Sequence, residues 1–254
     1  MPDMTAFYLM DTNSTISPAP AYDYDSIPQG YYDSVYHRRK GAQSKWHHME
    51  YVRVGREIPA GSAHLDVGCG PGTFASSLPA TIRSTSMDIA LPQIEYARKF
   101  YAAPNRVFET MEPAKIPCPD ETFDVVTSLE LVEHITEDEG QRLLKECARV
   151  LKKGGRLVVT TPNYSSAWPL LEWVVNSVTP VTYKYQHITK YKKPTLHKLL
   201  EEAGLEVVDV AGFQFSAPFY AMLSWKLADW VGAIEPAFVT RNLGNLLIGI
   251  ARKP

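Results

Sequence analysis

"LDVGCGPG", residues 65–72, decides how the rest of the chain is read. A short apolar run enters a glycine-rich turn, and "TFASSLP" (73–79) then starts a helix. Such a turn lets a ligand approach backbone N–H groups beside a helix N-terminus. The spacing is G-x-G-x-G, at Gly68, Gly70 and Gly72. The dinucleotide fingerprint needs its third glycine where this chain has Thr73, and no G-K-[ST] follows to make a P-loop. Asp66, just before the glycines, would repel a pyrophosphate and suits a ligand carrying an amino group or a sulfonium. Asp88 ends the next strand, 20 residues after Gly68, where a carboxylate can accept from two ribose hydroxyls.

Outward from this turn, strands and helices alternate. "AHLDV" (63–67) and "STSMDI" (84–89) are strands, and "LPQIEYARKFYA" (91–102) carries apolar residues at helical spacing. "NRVFET" (105–110) and "TFDVVTSL" (122–129) are the third and fourth strands. "EDEGQRLLKECARVLKKGG" (137–155) is an amphipathic helix with acids early, lysines late and a Gly-Gly stop, and "RLVVTTP" is the fifth strand. "PTLHKLLEEAGLEVVDVAGF" (194–213) is a helix, a Gly204 stop and a strand; "NLLIGIARKP" closes the chain as a last strand. The pattern predicts an α/β, Rossmann-like, seven-stranded and mostly parallel sheet, helices on both faces, its last strand antiparallel in a terminal hairpin. Tyr31 to about Glu57 reads as one helix, and residues 163–193 interrupt the rhythm as an inserted cap. The expected organisation is a flexible arm over 1–28 and a domain over 29–254, with a helical lid at 29–58.

The totals are those of an ordinary soluble globular protein: 254 residues, 45% hydrophobic, 21% charged, net charge −2. That charge lacks the basic excess of a nucleic-acid binder. Cys69, Cys118 and Cys147 form no paired framework, and the N-terminus has no cationic, apolar leader, so a reducing, cytoplasmic setting is expected. The most apolar stretch, residues 213–234, is interrupted by Lys226 and Asp229 and falls short of the roughly 18 apolar residues of a spanning helix. It is expected to pack as core, with contact at a membrane surface as the alternative.

Between residues 60 and 212 the chain resembles the class I S-adenosylmethionine-dependent methyltransferases, particularly their small-molecule type 11 branch. The resemblance rests on "LDVGCGPG", "MD" (87–88), "AKIPCPDETFDVV" (114–126), "SLELVEHI" (128–135) and "ARVLKKGGRLVVTTPN" (148–163). It implies that S-adenosyl-L-methionine is the methyl donor, its methionine part held by Asp66 and the glycine turn and its ribose by Asp88. Ile89 would flank the adenine, Glu112 and Pro113 would lie by its amino edge, and Leu129 near the sulfur. Where the family usually has Asp and a small residue, this chain has Glu112 and Pro113. Trp46, ahead of His47 and His48 in the N-terminal helix, would pack near the methionine part or serve as ordinary helix packing. Tyr183, Tyr185 and Tyr191 would line an acceptor pocket or a core.

"SLELVEHI" leaves the fourth strand toward the ligand crevice and brings Glu130, Glu133 and His134 to a helix start. Three readings stand: acids favouring a helix dipole, His134 as general base with Glu130, or a divalent cation (Mg, Mn or Zn) on Glu130, Glu133 and His134. His187, at the exit of the insertion, is the fourth ligand of that last reading. The cluster is similar to that of the ubiquinone-pathway O-methyltransferases, also through "YQHITKYKKPTLHKLLEEAGL" (185–205), and of small-RNA 3′-terminal 2′-O-methyltransferases. Both resemblances imply a divalent cation on those four residues. The quinone branch also matches the apolar insertion "WPLLEWVVNSV" (168–178), which would receive a greasy substrate or touch a membrane.

The resulting expectation is methyl transfer to a hydroxyl of a small or lipophilic molecule, with the proton removed by His134 or by a metal-bound oxygen. The alternatives are methylation of an RNA 3′ end, N-methylation of a small molecule, or donor binding without catalysis. A nicotinamide oxidoreductase is disfavoured by Asp66 and by the missing fingerprint glycine. The sequence does not set the oligomeric state.

Overall fold

The computed structural model describes residues 27–178 and 186–254. Residues 1–26 of the expected arm, and Tyr183 and Tyr185 of the expected cap, lie outside them. Seven strands form one sheet: β1 (Ala63–Val67), β2 (Arg83–Asp88), β3 (Arg106–Thr110), β4 (Phe123–Leu129), β5 (Leu151–Pro162), β6 (Glu206–Phe213) and β7 (Leu246–Arg252). Their spatial order is β3-β2-β1-β4-β5-β7-β6, with β7 antiparallel to both neighbours and every other pair parallel. The order reverses between β1 and β4, so a crevice opens at their carboxyl ends, where ligands of such sheets bind.

Period-two alternation divides each central strand between two cores. Leu65, Val67, Met87, Val126, Leu157 and Val159 face one side. There they meet Leu143, Leu144 and Cys147 of α5 (Glu137–Val150) and Leu196, Leu199 and Leu200 of α7 (Lys193–Glu202). Val125, Val158, Ile248 and Ile250 face the other, against Trp46 and Val54 of α2 (Gly41–Gly55) and Phe74 of α3 (Thr73–Ser77). Ile94 and Ala97 of α4 (Leu91–Tyr101) cover Phe108 of β3.

The expected helix from Tyr31 to Glu57 is two helices, α1 (Tyr31–His37) and α2. The chain breaks between them, where Arg39 (φ 48°) and Gly41 (φ 80°) take left-handed backbone. Asp33 ties α1 down, accepting from Thr73 Oγ1, Tyr96 Oη and Tyr101 Oη at 2.5–2.9 Å. The expected helix over 137–155 stops at Val150, because Leu151 already pairs with Phe123 of β4.

The last two strands pair antiparallel as expected, but through a connection much longer than a hairpin turn. After β6 come α8 (Ala217–Tyr220), α9 (Trp225–Ile234) and α10 (Ala237–Leu243), and β7 then enters between β5 and β6. The stretch 213–234 is not the buried core expected of it. Ala228 and Val231 are buried, whereas Met222, Leu223 and Trp230 are exposed. The short helices turn a single face inward, and Lys45 of α2 holds that face through an ion pair with Asp229.

Candidate active site

The glycine turn hangs from β2: Gly68 and Cys69 N–H donate to Met87 O, and Gly70 N–H donates to Asp88 Oδ2 at 2.8 Å. Gly68 (φ 77°) and Gly72 (φ 78°) sit in the left-handed region, and a Cβ on either would lie under 2.8 Å from Leu131 or Phe108. Backbone geometry and side-chain crowding both demand glycine there. Asp88 Oδ1 also accepts from Ala90 N–H at 2.8 Å, so its carboxylate is aimed before any ligand arrives. Burial nevertheless raises its pKa.

Beside the turn lies a cleft lined by Gly68, Asp88, Ile89, Met111, Pro113 and Leu131. It gathers four of the positions the sequence ascribed to donor binding. Glu112 is not among them: it lies at the surface and pairs with Lys115 at 3.0 Å. Leu129 ends β4 and packs with Trp46 beneath α2. Leu131, which closes the cleft against Gly68, was not singled out from sequence; it is two residues past the strand, and no motif marks it. Asp66 is 2% exposed and accepts from Thr127 Oγ1 at 2.7 Å. Burial pushes its carboxyl up to about 7.

Past β4 the chain does not start the expected helix. Glu130 takes φ 47°, its N–H donating to Thr160 O and Oγ1. Val132–His134 form one 3-10 turn, and α5 begins at Glu137 behind Thr136, whose capping box with Glu139 fixes that start. The left-handed residue separates the acids that a continuous helix would have kept on one face.

Two groups result. In the first, one ligand atom from each of Glu133, His134 and His187 lies within 4.8 Å of the others. His134 Nδ1 lies 2.9 Å from Gln186 O, so it donates there and Nε2 carries the lone pair, 4.0 Å from Glu133 Oε1. His187 Nδ1 is 2.9 Å from Glu172 Oε1, and Tyr164 Oη donates to the other Glu172 oxygen at 2.9 Å. The carboxylate therefore accepts from Nδ1–H, which places the lone pair of His187 too on Nε2. Glu133 Oε2 accepts from Thr161 Oγ1, while Oε1 is buried with no hydrogen-bond partner among the described residues. Burial, then the nearby Glu130, pushes Glu133 well above the carboxylate range. Burial, then His187, lowers His134 to about 4, so it is neutral at pH 7. Burial pushes Glu172 up, but hydrogen bonds from His187 and Tyr164 outweigh it and hold the carboxyl below its ordinary value. Glu172, from α6 (Trp168–Val178), and Tyr164 were not predicted; each becomes legible as a partner of His187 once the fold is closed.

Glu130, expected with that set, joins the second group with His47 and Glu50 of α2. Its Oε1 accepts from Trp46 Nε1 at 2.6 Å, and Glu50 Oε1 accepts from Thr160 Oγ1 at 2.6 Å. Burial pushes Glu50 up to about 7, and burial with Glu50 beside it pushes Glu130 to about 7. His47, buried, has a lowered pKa. Trp46 thus packs in the core and also reaches the residue that follows β4.

Comparison with known proteins agrees with this architecture. A family model described as a methyltransferase domain matches residues 39–210. A ubiquinone biosynthesis O-methyltransferase of Xanthomonas euvesicatoria pv. vesicatoria is 29% identical over 178 residues, 66% of this chain and 72% of that protein. A Mycolicibacterium smegmatis protein named "Probable S-adenosylmethionine-dependent methyltransferase" is 31% identical over 168 residues, 65% of this chain and 60% of its own length. Among solved structures, a Thermotoga maritima protein described as a possible histamine N-methyltransferase superposes with a TM-score of 0.62 at 18% identity. It covers 88% of this chain and 94% of its own and shares the fold.

Proposed function

The chain belongs to the methyltransferase-domain family as a class I S-adenosylmethionine-dependent methyltransferase, and from that premise we propose that it methylates a hydroxyl of a small or lipophilic molecule beside a divalent cation. One observation carries this reading. Each histidine of the Glu133–His134–His187 group has its Nδ1 proton committed outward, to Gln186 O and to Glu172, while Glu133 Oε1 is buried without a hydrogen-bond partner among the described residues. A histidine that gives its other N–H to a carboxylate or carbonyl is the usual arrangement around a metal, and two imidazoles with one carboxylate suit Mn or Zn better than Mg. A cation held by these three residues would lower the pKa of an acceptor hydroxyl.

The remaining work falls to the chain's own groups. Asp66 and the glycine turn hold the donor's methionine part, Asp88 accepts from its ribose hydroxyls, and Ile89 and Pro113 flank the adenine. Leu129 and Leu131 keep water from the sulfonium. Glu130, poised near pH 7, takes the acceptor's proton. The acceptor oxygen then bonds to the methyl carbon as the carbon–sulfur bond breaks in line, and positioning supplies most of the rate. The lid helices and α6 enclose the acceptor, whose greasy part meets Trp168. A relative named a ubiquinone biosynthesis O-methyltransferase supports a hydroxyl as the acceptor. The −2 charge does not favour an RNA acceptor.

A second reading keeps the same donor site and uses His134 Nε2 as the base without a cation; the His134–Gln186 hydrogen bond favours it equally. Chelation separates the two. The protein is stripped of metal and assayed with labelled donor and a panel of catechols and other phenols, before and after adding Mn or Zn. Loss of turnover that either ion restores is expected; unchanged turnover after stripping removes the cation and leaves a protein base, His134 or Glu130. A protein that binds donor yet methylates no hydroxyl in the panel overturns the acceptor class.

A further inference from the structure

A polar chain crosses the interior of the sheet and ends on Asp66. Parallel register aligns His64 with Ser84 on β2, and Asp66 with Ser86 and with Thr127 on β4. With a side-chain period of two, these five residues share one face of the sheet. His64 is completely buried, packed edge-on to Phe74, in a position where an aliphatic residue would serve a strand at no polar cost. Both of its ring nitrogens are occupied: Nδ1 lies 3.0 Å from Ser84 Oγ and Nε2 lies 2.9 Å from Thr127 Oγ1. Thr127 Oγ1 in turn donates to Asp66 Oδ1 at 2.7 Å.

The proton directions follow from the two ends. Thr127 has one hydroxyl proton and gives it to Asp66, so it must accept from His64 Nε2–H. Nδ1 is then the lone-pair nitrogen and accepts from Ser84 Oγ, which stands 3.3 Å from Ser86 Oγ. Burial lowers the His64 pKa to about 3, so the ring is a neutral dipole and not a counter-ion. No described residue hydrogen-bonds Asp66 Oδ2, which leaves that oxygen to a ligand.

We propose that His64 is a positioning residue for methyl-donor binding: through Thr127 it orients Asp66 so that Oδ2 faces the α-ammonium of the donor's methionine part. The assignment rests on the reading of Asp66 given above. A chain of aligned hydrogen bonds strengthens each member: without His64 the Thr127 hydroxyl is free to turn toward Leu65 O, 3.5 Å away, and without Thr127 the buried carboxylate loses the hydroxyl that fixes its rotation.

The test measures, by calorimetry on the full chain, dissociation constants for two ligands. S-Adenosylhomocysteine carries the α-ammonium; 5′-methylthioadenosine keeps the nucleoside and lacks the amino-acid end. His64→Leu is expected to weaken S-adenosylhomocysteine about 10-fold and to leave 5′-methylthioadenosine unchanged. Thr127→Val, which cuts the chain one link nearer and leaves His64 in place, is expected to do the same and serves if His64→Leu does not fold. Equal weakening of both ligands, or of neither, overturns the proposal, because a general packing defect would not select the ammonium. Asp66→Asn is the control on the underlying reading. If it fails to weaken S-adenosylhomocysteine, the assignment of Asp66 itself falls. If it weakens that ligand while His64→Leu and Thr127→Val do not, the assignment stands and the relay falls.

Discussion

The two halves of the candidate site are built in opposite ways. The donor side is made from neighbours in sequence: the glycine turn, Asp66 and Asp88 lie within 24 residues and are joined by the parallel pairing of β1 and β2. The other side is assembled from afar. Trp46 meets Glu130, Glu50 meets Thr160, His134 meets Gln186 and Glu172 holds His187. A local site can carry a fixed ligand through large sequence change, whereas one built from the lid, a strand end and an insertion can change its acceptor by altering any of them.

Substitutions should therefore separate the halves. The largest effect is expected from Glu133→Ala or His187→Ala, which should lower kcat by about 100-fold or more while calorimetry shows unchanged S-adenosylhomocysteine affinity. Weakened donor binding in either variant would merge the two halves into one. Glu172→Gln, acting through His187, should weaken added Mn or Zn by about 10- to 100-fold, read by titrating the ion against activity and by direct ion binding.

Acidity gives an intermediate effect. Glu50, Asp66 and Glu130 each have a folded pKa pushed up to about 7, above their unfolded values near 4. The folded state then binds more protons than the unfolded chain between those values, so stability is lost as pH rises through about 7. The ligand-free protein should melt at lower temperature at pH 8 than at pH 6.5. Glu50→Gln should flatten that slope, by on the order of 1 kcal/mol at pH 8. Below about pH 6.5 the neutral buried His64 and His134 work in the opposite sense, since the unfolded chain protonates them first. A melting temperature that rises from pH 6.5 to 8 would contradict this. The smallest effect is expected at Glu112, exposed and paired with Lys115: Glu112→Ala should change donor affinity less than about twofold, as surface ion pairs contribute little.

This contrast also explains what could be read from the chain alone. The strands and the donor-side carboxylates were legible because alternation, a glycine turn and a fixed spacing are local signals. "SLELVEHI" suggested one helical face. The left-handed Glu130 overturned that, and nothing in its neighbours requires the conformation; its N–H bonds to Thr160, thirty residues away, support it. Glu172 and Tyr164 were invisible for the same reason: each acquires its meaning by touching His187. Glu50 carries no local signal of its burial; it is 1% exposed on the inner face of α2. His64 was not singled out in the strand; only the register places hydroxyls on both sides of it.

The strand order has a consequence for how the molecule is made. β7 is the last of the described elements in sequence, yet it lies between β5 and β6. While the chain is being synthesised, β6 emerges with no strand beside it, and β5 presents an open edge until residues 246–252 arrive. Non-local pairing of this kind is slow and leaves unpaired edges exposed. The sheet should therefore close only once residues 246–252 have been made, after a chaperone-sensitive interval in which the glycine turn is already formed and the far side of the site is not.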